Sequence, residues 1–182
     1  MWKDFRKKRA ELLENAVKAK KVDEKILSLL EKINKNKNLV TISSCYGRVV
    51  LLEFDIMSTK KRSVFYKKWH RKVSAEEVEL AVSSYAGKLP LWFRVEPFIL
   101  HVAAKDMKSA ADFLVKCRKA GVRRGGIQGL QKDRVSIEVQ GTTSMYLPAD
   151  IFEGSWNDLI KTANRIMELN EKQIRKLVRV EW

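Results

Sequence analysis

The sequence has few cysteines, which cross-link small secreted domains, and few prolines and glycines, which interrupt helices and strands. It contains two cysteines, three prolines and eight glycines in 182 residues. Cys45 and Cys117 form no disulfide framework and suit a reducing compartment, and the low proline and glycine content excludes a collagen-like or low-complexity chain. No apolar run reaches the roughly 18 residues that a membrane-spanning helix needs. The basic N-terminus is not followed by the apolar segment of a signal peptide, so we expect a cytoplasmic protein.

Acidic residues are scarce relative to basic ones. Asp and Glu number 22 against 37 Lys and Arg, which leaves a formal net charge of +15. A surplus of this size favours a polyanionic partner, and composition alone does not distinguish RNA, DNA and a membrane surface.

The positive charge is concentrated in residues 60–72, which we call the basic segment. It has no acidic residue and contains Phe65, Tyr66, Trp69 and His70. Because cations bind phosphates and flat rings stack on unpaired bases, a basic aromatic loop is typical of RNA binding. The alternative is a solvated loop whose rings pack into the core. The predicted RNA-binding residues are Lys60, Lys61, Arg62, Lys67, Lys68, Arg71 and Lys72, together with Arg124 from a second basic stretch.

Hydrophobic periodicity alternates between helical and strand patterns. It predicts helices over about 3–21, 24–33, 75–86, 108–120 and 155–178, with Asp23, Ser74 and Ser155 as N-caps. It predicts strands over 39–43, 48–54, 91–96, 98–103, 126–130, 135–139 and 144–148. Several connections are too short for parallel crossovers, which indicates an α+β protein with a mixed, largely antiparallel sheet packed with helices.

The 45% apolar content is enough for one core, so we expect a single domain over 1–182. Within it we expect a helical segment over 1–37, an α+β core over 38–150 and a C-terminal helix over 155–182. The two strand-strand-helix stretches suggest an internal duplication.

Common catalytic signatures are missing from the sequence. There is no dinucleotide-binding GxGxxG, no Walker A loop and no HExxH. Two histidines and two cysteines at unrelated spacings predict no metal site. The candidate residues therefore lie elsewhere, in a turn between strands, in a basic glycine-rich stretch and in the strand region around Pro97.

The first candidate position is a turn between two strands, which is flanked by Ser43, Ser44 and Arg48. Turns of this kind hold ligand-binding groups on a rigid scaffold. The alternative is that the serines satisfy local backbone groups. A second candidate stretch is basic and rich in glycine, and its amides and guanidinium groups suit a carboxylate or phosphate. The alternative is that this stretch only leads into a hairpin. Its residues are Arg123, Arg124, Gly125 and Gly126.

Glu96 and His101 place a carboxylate and an imidazole in a strand region. Five residues separate them, so an unbroken strand directs them to opposite faces, and the break at Pro97 changes that parity. They are candidates for proton transfer or, alternatively, hydrogen-bonding residues of the core.

Four segments in order carry a resemblance to a known family. They are Ser43-Ser44-Cys45-Tyr46-Gly47-Arg48, Trp69-His70-Arg71, residues 93–102 (FRVEPFILHV) and residues 120–127 (AGVRRGGI). Their sequences are similar to those of the tRNA wybutosine-synthesizing protein 3 family, and its archaeal branch in particular. Tyr46 and Gly125 depart from the family pattern, which has serine at both positions.

The resemblance implies an S-adenosylmethionine-dependent methyltransferase. Because the sequence has no Rossmann fingerprint and no pattern of a doubly wound sheet, we expect that it does not have a Rossmann fold. Its substrate is phenylalanine tRNA, and it methylates the N4 ring nitrogen of the tricyclic wybutosine precursor next to the anticodon, which already carries an aminocarboxypropyl side chain. The competing hypothesis is a non-catalytic RNA-binding protein that recognises the anticodon arm. We expect no metal and no membrane or DNA partner.

The resemblance also suggests roles for the candidate residues. His101 or Glu96 is expected to accept a proton. The expected substrate- and cofactor-binding residues are Ser43, Ser44, Arg48, Trp69, His70, Arg123, Gly125 and Gly126. The serines, Arg48 and the glycine pair are assigned to the aminocarboxypropyl carboxylate or to the methionine end of the cofactor.

Overall fold

The computed structural model describes residues 1–55 and 63–182. Lys60, Lys61 and Arg62, three of the predicted RNA-binding residues, lie outside the described residues. The helices are α1 (Trp2–Lys18), α2 (Glu24–Lys35), α3 (Ala75–Ser83), α4 (Met107–Lys119) and α5 (Trp156–Val178). The strands are β1 (Leu39–Cys45), β2 (Arg48–Phe54), β3 (Ser63–Trp69), β4 (Leu91–Glu96), β5 (Ile99–Ala104), β6 (Arg124–Gln131), β7 (Arg134–Gln140) and β8 (Met145–Pro148).

The predicted α+β class is confirmed, and its strands form two sheets. Within the described residues, sheet A has the order β1-β5-β7-β6 and sheet B the order β3-β2-β4-β8. Each of these strand pairs is antiparallel. None of the helices in the described ranges combines the length and apolar character needed to cross a membrane.

The chain groups into two compact units. Unit 1 comprises Met1–Tyr46, Phe98–Thr142 and Glu171–Trp182, and unit 2 comprises Gly47–Pro97 and Thr143–Asn170. Sheet A belongs to unit 1 and sheet B to unit 2. The single-domain organisation and the internal duplication stay predictions.

The largest difference from the predicted elements is β3. The sequence indicated a loop in the basic segment, but Ser63–Trp69 forms an edge strand of sheet B, so the loop prediction was wrong there. Its side chains are exposed or half-buried, with no buried residue to mark a strand pattern. Edge strands commonly carry lysine, because charge blocks pairing with another chain.

The core of unit 1 lies on one face of sheet A. Alternate residues of β5 and β7, such as Leu100, Val102 and Ile137, are fully buried. Helices α2 and α4 supply further buried apolar side chains, including Leu29 and Phe113. Period-two burial on the strands leaves their alternate residues on the opposite face, where polar side chains can form a site.

Two of the three predicted N-caps make the expected hydrogen bond. Ser74 Oγ accepts from Glu77 N at 3.2 Å, and Ser155 Oγ accepts from Asp158 N at 3.3 Å. Asp23 is the N-cap of α2 but makes no side-chain bond to that helix. Its Oδ2 accepts instead from Tyr46 N at 2.9 Å, which ties the end of β1 to the start of α2.

The N-cap of α4 gives a stability prediction. Asp106 Oδ1 accepts from Ser109 N at 2.8 Å, and this bond lowers the pKa of the Asp106 carboxyl. We expect Asp106→Ala to lower the free energy of unfolding by about 1 kcal/mol. Asp112→Ala, an exposed substitution within the same helix, should leave it nearly unchanged.

The pH dependence of this effect has a definite sign. Because the folded-state pKa of Asp106 is lowered, its contribution is present above the unfolded-state pKa and is lost as pH falls through the folded-state value. Urea unfolding at neutral and acidic pH measures the difference between the two variants. Equal losses for Asp106→Ala and Asp112→Ala at neutral pH would show that the cap contributes nothing.

Candidate functional site

A row of four residues crosses all the strands of sheet A. Ser43 of β1 pairs with His101 of β5, His101 pairs with Glu138 of β7, and Glu138 pairs with Gly126 of β6. Directly paired residues of adjacent strands project to the same face of a sheet. The register therefore places these four residues, which we call the polar row, on the face opposite the core of unit 1.

The imidazole of His101 is held at both nitrogens. Nδ1 lies 2.9 Å from Ser43 Oγ, and Nε2 lies 2.9 Å from Glu138 Oε2. A carboxylate only accepts hydrogen bonds, so Nε2–H donates to Glu138 and Nδ1 of the neutral ring accepts from the Ser43 hydroxyl. The side chain of His101 is 34% exposed and that of Glu138 is 22% exposed, so solutes can reach the row.

Glu138 is the member of the row that sequence reasoning missed. Period two along β7 places it on the polar face of the strand, beside the buried Ile137 and Val139. Its partner His101 is 37 residues away in sequence, and the contact depends on the register of β5 against β7. No local pattern in the sequence gives that register.

The two glycines of the basic glycine-rich stretch, Gly125 and Gly126, lie in β6 and face opposite sides of sheet A. A Cβ added at Gly126 would meet no heavy atom within 4 Å, so there is open space beside Glu138. A Cβ at Gly125 would lie 2.3 Å from Val139 Cγ1 and 2.7 Å from the backbone oxygen of Glu138. Gly125 therefore permits a close approach of β6 to β7 at the core face, and the serine of the family pattern does not fit this backbone.

A cavity of about 330 Å³ is lined by α1, the segment between α1 and α2, Leu30 of α2, and β1. Ser43 and Ser44 are among its lining residues, together with the cationic Arg9 and Lys21. Arg9 donates from Nη2 to Ile42 O, whereas its buried Nε has no hydrogen-bond partner within the described residues. Cations and hydroxyls beside apolar side chains suit a ligand with a carboxylate and an apolar chain.

Glu96 belongs to unit 2, whereas the polar row belongs to unit 1. Its Oε2 is 2.7 Å from Arg48 Nε, and its Oε1 is 3.4 Å from Arg94 Nη2. The predicted residues Arg48 and Glu96 are thus brought together as an ion pair across β2 and β4. Both carboxylate oxygens of Glu96 therefore contact guanidinium groups, whereas the imidazole of His101 contacts a hydroxyl and a carboxylate.

The predicted RNA-binding cations differ in their local partners. On β3, Lys67 Nζ lies 5.5 Å from the ring centre of Tyr66, and Lys68 Nζ lies 5.0 Å from that of Phe65. Arg71 pairs with Glu77 at 2.6 Å, which lowers the pKa of that carboxyl, and Lys72 pairs with Glu168 at 2.6 Å. The charges of Arg71 and Lys72 are therefore balanced locally.

The remaining predicted residues occupy strand ends. Trp69 is the last residue of β3, is half-buried and hydrogen-bonds Glu77, and the exposed His70 follows it. Arg123 and Arg124 are exposed at the start of β6, where Arg124 pairs with Gln140. The structure places both arginines in unit 1 and Trp69 and His70 in unit 2.

Tyr46, the other departure from the family pattern, is a packing residue of unit 1. Only 3% of the residue is exposed. Burial and a hydrogen bond with Glu171 raise the pKa of its hydroxyl, and Lys25 Nζ lies 5.2 Å from its ring centre. Its hydroxyl is thus engaged by α5 and is not a substitute for the serine.

Comparison with known proteins identifies the family of the chain. Residues 2–180 match the sequence model of the family described as Methyltransferase TYW3. The chain belongs to the TYW3 family. The resemblance in the four sequence segments is thereby confirmed, and membership of this methyltransferase family implies a methyl donor.

Archaeal relatives in the TYW3 family carry a specific name. A protein of Thermococcus sibiricus named tRNA(Phe) 7-((3-amino-3-carboxypropyl)-4-demethylwyosine(37)-N(4))-methyltransferase is 32% identical over 181 residues, covering 96% of this chain and 91% of the relative. A Thermococcus kodakarensis protein with the same name, numbered 1, is 34% identical over 171 residues, covering 94% and 85%.

Solved structures share the fold of this TYW3 chain. The PH1069 protein from Pyrococcus horikoshii is 30% identical, with a TM-score of 0.88 over 97% of this chain and 93% of that chain. A hypothetical protein from Aeropyrum pernix is 27% identical, with a TM-score of 0.74 over 86% and 95%. Two antiparallel sheets with helices, rather than a doubly wound parallel sheet, therefore form the TYW3 scaffold.

Proposed function

We propose that the protein methylates the N4 ring nitrogen of the tricyclic wybutosine precursor next to the anticodon of phenylalanine tRNA, in the cytoplasm. Family membership over residues 2–180 and the names of the archaeal relatives support this reaction. The structural observation that carries the proposal is the polar row, because it holds an imidazole ready to accept a proton on an accessible face.

Methylation of a ring nitrogen requires that nitrogen to lose its proton. Nδ1 of His101 is the acceptor, either directly or through the hydroxyl of Ser43, which is exposed. The Glu138 carboxylate fixes the ring orientation and stabilises the imidazolium that forms. Glu96 is the less suitable acceptor because Arg48 and Arg94 occupy its oxygens.

The cavity beside β1 fits the amino acid end of S-adenosylmethionine, which when bound supplies an electrophilic sulfonium methyl group. Its fit rests on the buried Arg9 Nε, a donor without a partner in the described residues that a carboxylate would satisfy. Arg9 and Ser44 would hold that carboxylate, and Leu12 and Leu13 would line the apolar side. The same donors suit the aminocarboxypropyl carboxylate of the substrate.

Lys67 and Lys68 bind the phosphates of the anticodon arm in this proposal. Replacing both by alanine should weaken tRNA binding and lower the slope of log affinity against log salt by about 2, one unit for each phosphate contact. The matched control is Lys161→Ala with Arg165→Ala, which removes two exposed cations that pair with acids on α5. Filter binding over a salt series measures both slopes, and equal slopes for the two variants would contradict the assignment.

The proposed activity is tested with phenylalanine tRNA from cells that lack the corresponding enzyme. The tRNA is incubated with the protein and S-adenosylmethionine, digested to nucleosides and analysed by mass spectrometry. We expect one added methyl group on the hypermodified base. No added methyl on a verified substrate would leave the second candidate, an RNA-binding protein for the anticodon arm, which the charge of +15 also supports.

A further inference from the structure

One face of sheet B combines aromatic and basic side chains around a cavity within unit 2. The cavity has a volume of about 300 Å³ and is lined by Phe54, Trp92, Arg94 and Tyr146. Arg94 of β4 pairs directly with Tyr146 of β8. Trp92 lies on the same face of β4, because it is two residues before Arg94. We call this cavity the aromatic slot.

Hydrogen bonds and stacking hold the walls of the aromatic slot in place. Trp92 Nε1 donates to Phe54 O at 3.0 Å, which fixes the indole ring. The guanidinium carbon of Arg94 lies 4.5 Å from the ring centre of Tyr146, so the cation stacks on the phenol. The slot is therefore built before any ligand enters it.

Two features of the slot point to a planar ligand that accepts hydrogen bonds. Tyr146 is 50% exposed, so part of its ring is accessible to a ligand. Arg94 Nε is buried without a hydrogen-bond partner among the described residues. A flat heteroaromatic base satisfies both, because it offers a π face to the rings and ring or carbonyl acceptors to the guanidinium group.

The charges on the same face of sheet B favour an RNA base over an apolar peptide, because Arg48, Arg94 and Lys68 together exceed the charge of Glu96, with which both arginines pair. Arg48 and Lys68 both lie over the ring of Phe65, at 4.5 Å and 5.0 Å from its centre. Lys68 pairs with Val50, which in turn pairs with Arg94, so the register puts these cations on the face that carries the slot. Cations beside stacking rings are the combination that binds single-stranded nucleic acid.

We propose that the aromatic slot binds one unpaired nucleobase of the anticodon loop. The inference rests on the proposed function for the identity of the RNA, and it concerns a base-binding site in unit 2, not the proton acceptor in unit 1. Phe54, Trp92 and Tyr146 stack on the base, and Arg94 donates to its edge.

The test uses a phenylalanine-tRNA anticodon stem-loop and a set of copies that each carry one abasic position in the loop. Affinity is measured without S-adenosylmethionine, for the wild type and for Tyr146→Leu. We expect Tyr146→Leu to weaken binding of the intact loop by about 5- to 100-fold, the range for loss of one base-stacking ring. At one loop position the abasic RNA should bind both proteins equally, because the base that Tyr146 contacts is already gone.

Tyr146→Phe, which keeps the ring, is the matched control and should bind nearly as well as the wild type. Phe54→Leu is a second variant in the lining of the slot and should lose affinity at the same loop position. Thermal unfolding verifies that each variant is folded. The proposal is wrong if Tyr146→Leu binds the intact loop with wild-type affinity. It is equally wrong if each abasic substitution changes the affinity of the wild type and of Tyr146→Leu by the same factor. It is also wrong if the variant loses only S-adenosylmethionine binding, which would make the slot an adenine site. Absence of methyl transfer by the wild type would contradict the proposed reaction and leave these affinities unaffected.

Discussion

His101→Ala is expected to lower the single-turnover rate of methyl transfer by about 10²- to 10⁴-fold, the usual contribution of a positioned acid–base group. The physical reason is that the ring nitrogen must lose a proton, and His101 Nδ1 is the acceptor that Ser43 and Glu138 hold in place. Rapid-quench measurement with saturating protein isolates this step from tRNA binding and product release.

Two further variants distinguish the proton acceptor from the residue that orients it. Glu138→Gln keeps a polar side chain beside Nε2 but removes its charge, so we expect a smaller loss than for His101→Ala. Ser136→Ala changes the same face of β7 two residues away and is the control, with a rate near the wild type. If His101→Ala and Glu96→Gln both transfer the methyl group at the wild-type rate, neither residue is the base.

Phe93→Ala is expected to lower the free energy of unfolding by about 3 to 5 kcal/mol, the range for deleting a buried phenylalanine. Phe93 is fully buried in β4, an interior strand of sheet B. Its ring also packs edge to face on Trp156 of α5, with ring centres 5.9 Å apart. The substitution removes this aromatic contact and leaves a cavity between the sheet and the helix.

The control for this prediction is the same change at an exposed ring. Phe65 lies on the edge strand β3 and is 39% exposed, so Phe65→Ala should cost much less stability. Urea unfolding of both variants gives the comparison. Similar losses for Phe93→Ala and Phe65→Ala would mean that sheet B is not packed through Phe93.

Local features of the fold were predictable from the sequence. The Ser74 cap of α3 depends on residues three apart, and the β6–β7 hairpin depends on a short connection. β3 was missed because its exposed lysines give no apolar alternation. The sequence predicted one sheet, whereas the structure has two. β1 and β2 are joined by a short turn at Gly47 but pair with different strands.

The candidate site was predictable only in its residue types. Ser43 and His101 were both predicted, but their contact spans 58 residues and follows an irregularity in the β1 register between Thr41 and Ser43. Glu96 was paired with His101 because the two are close in sequence. The break at Pro97 instead separates β4 from β5, and these strands belong to different sheets.

The most direct test of the central claim locates the transferred methyl group on the base. Phenylalanine tRNA that lacks this modification is incubated with the wild type and S-adenosylmethionine carrying a deuterated methyl group, and the nucleoside is fragmented in the mass spectrometer. We predict that the label stays with the tricyclic ring at N4. Label on the aminocarboxypropyl side chain, or no label on the base, would contradict the proposed reaction.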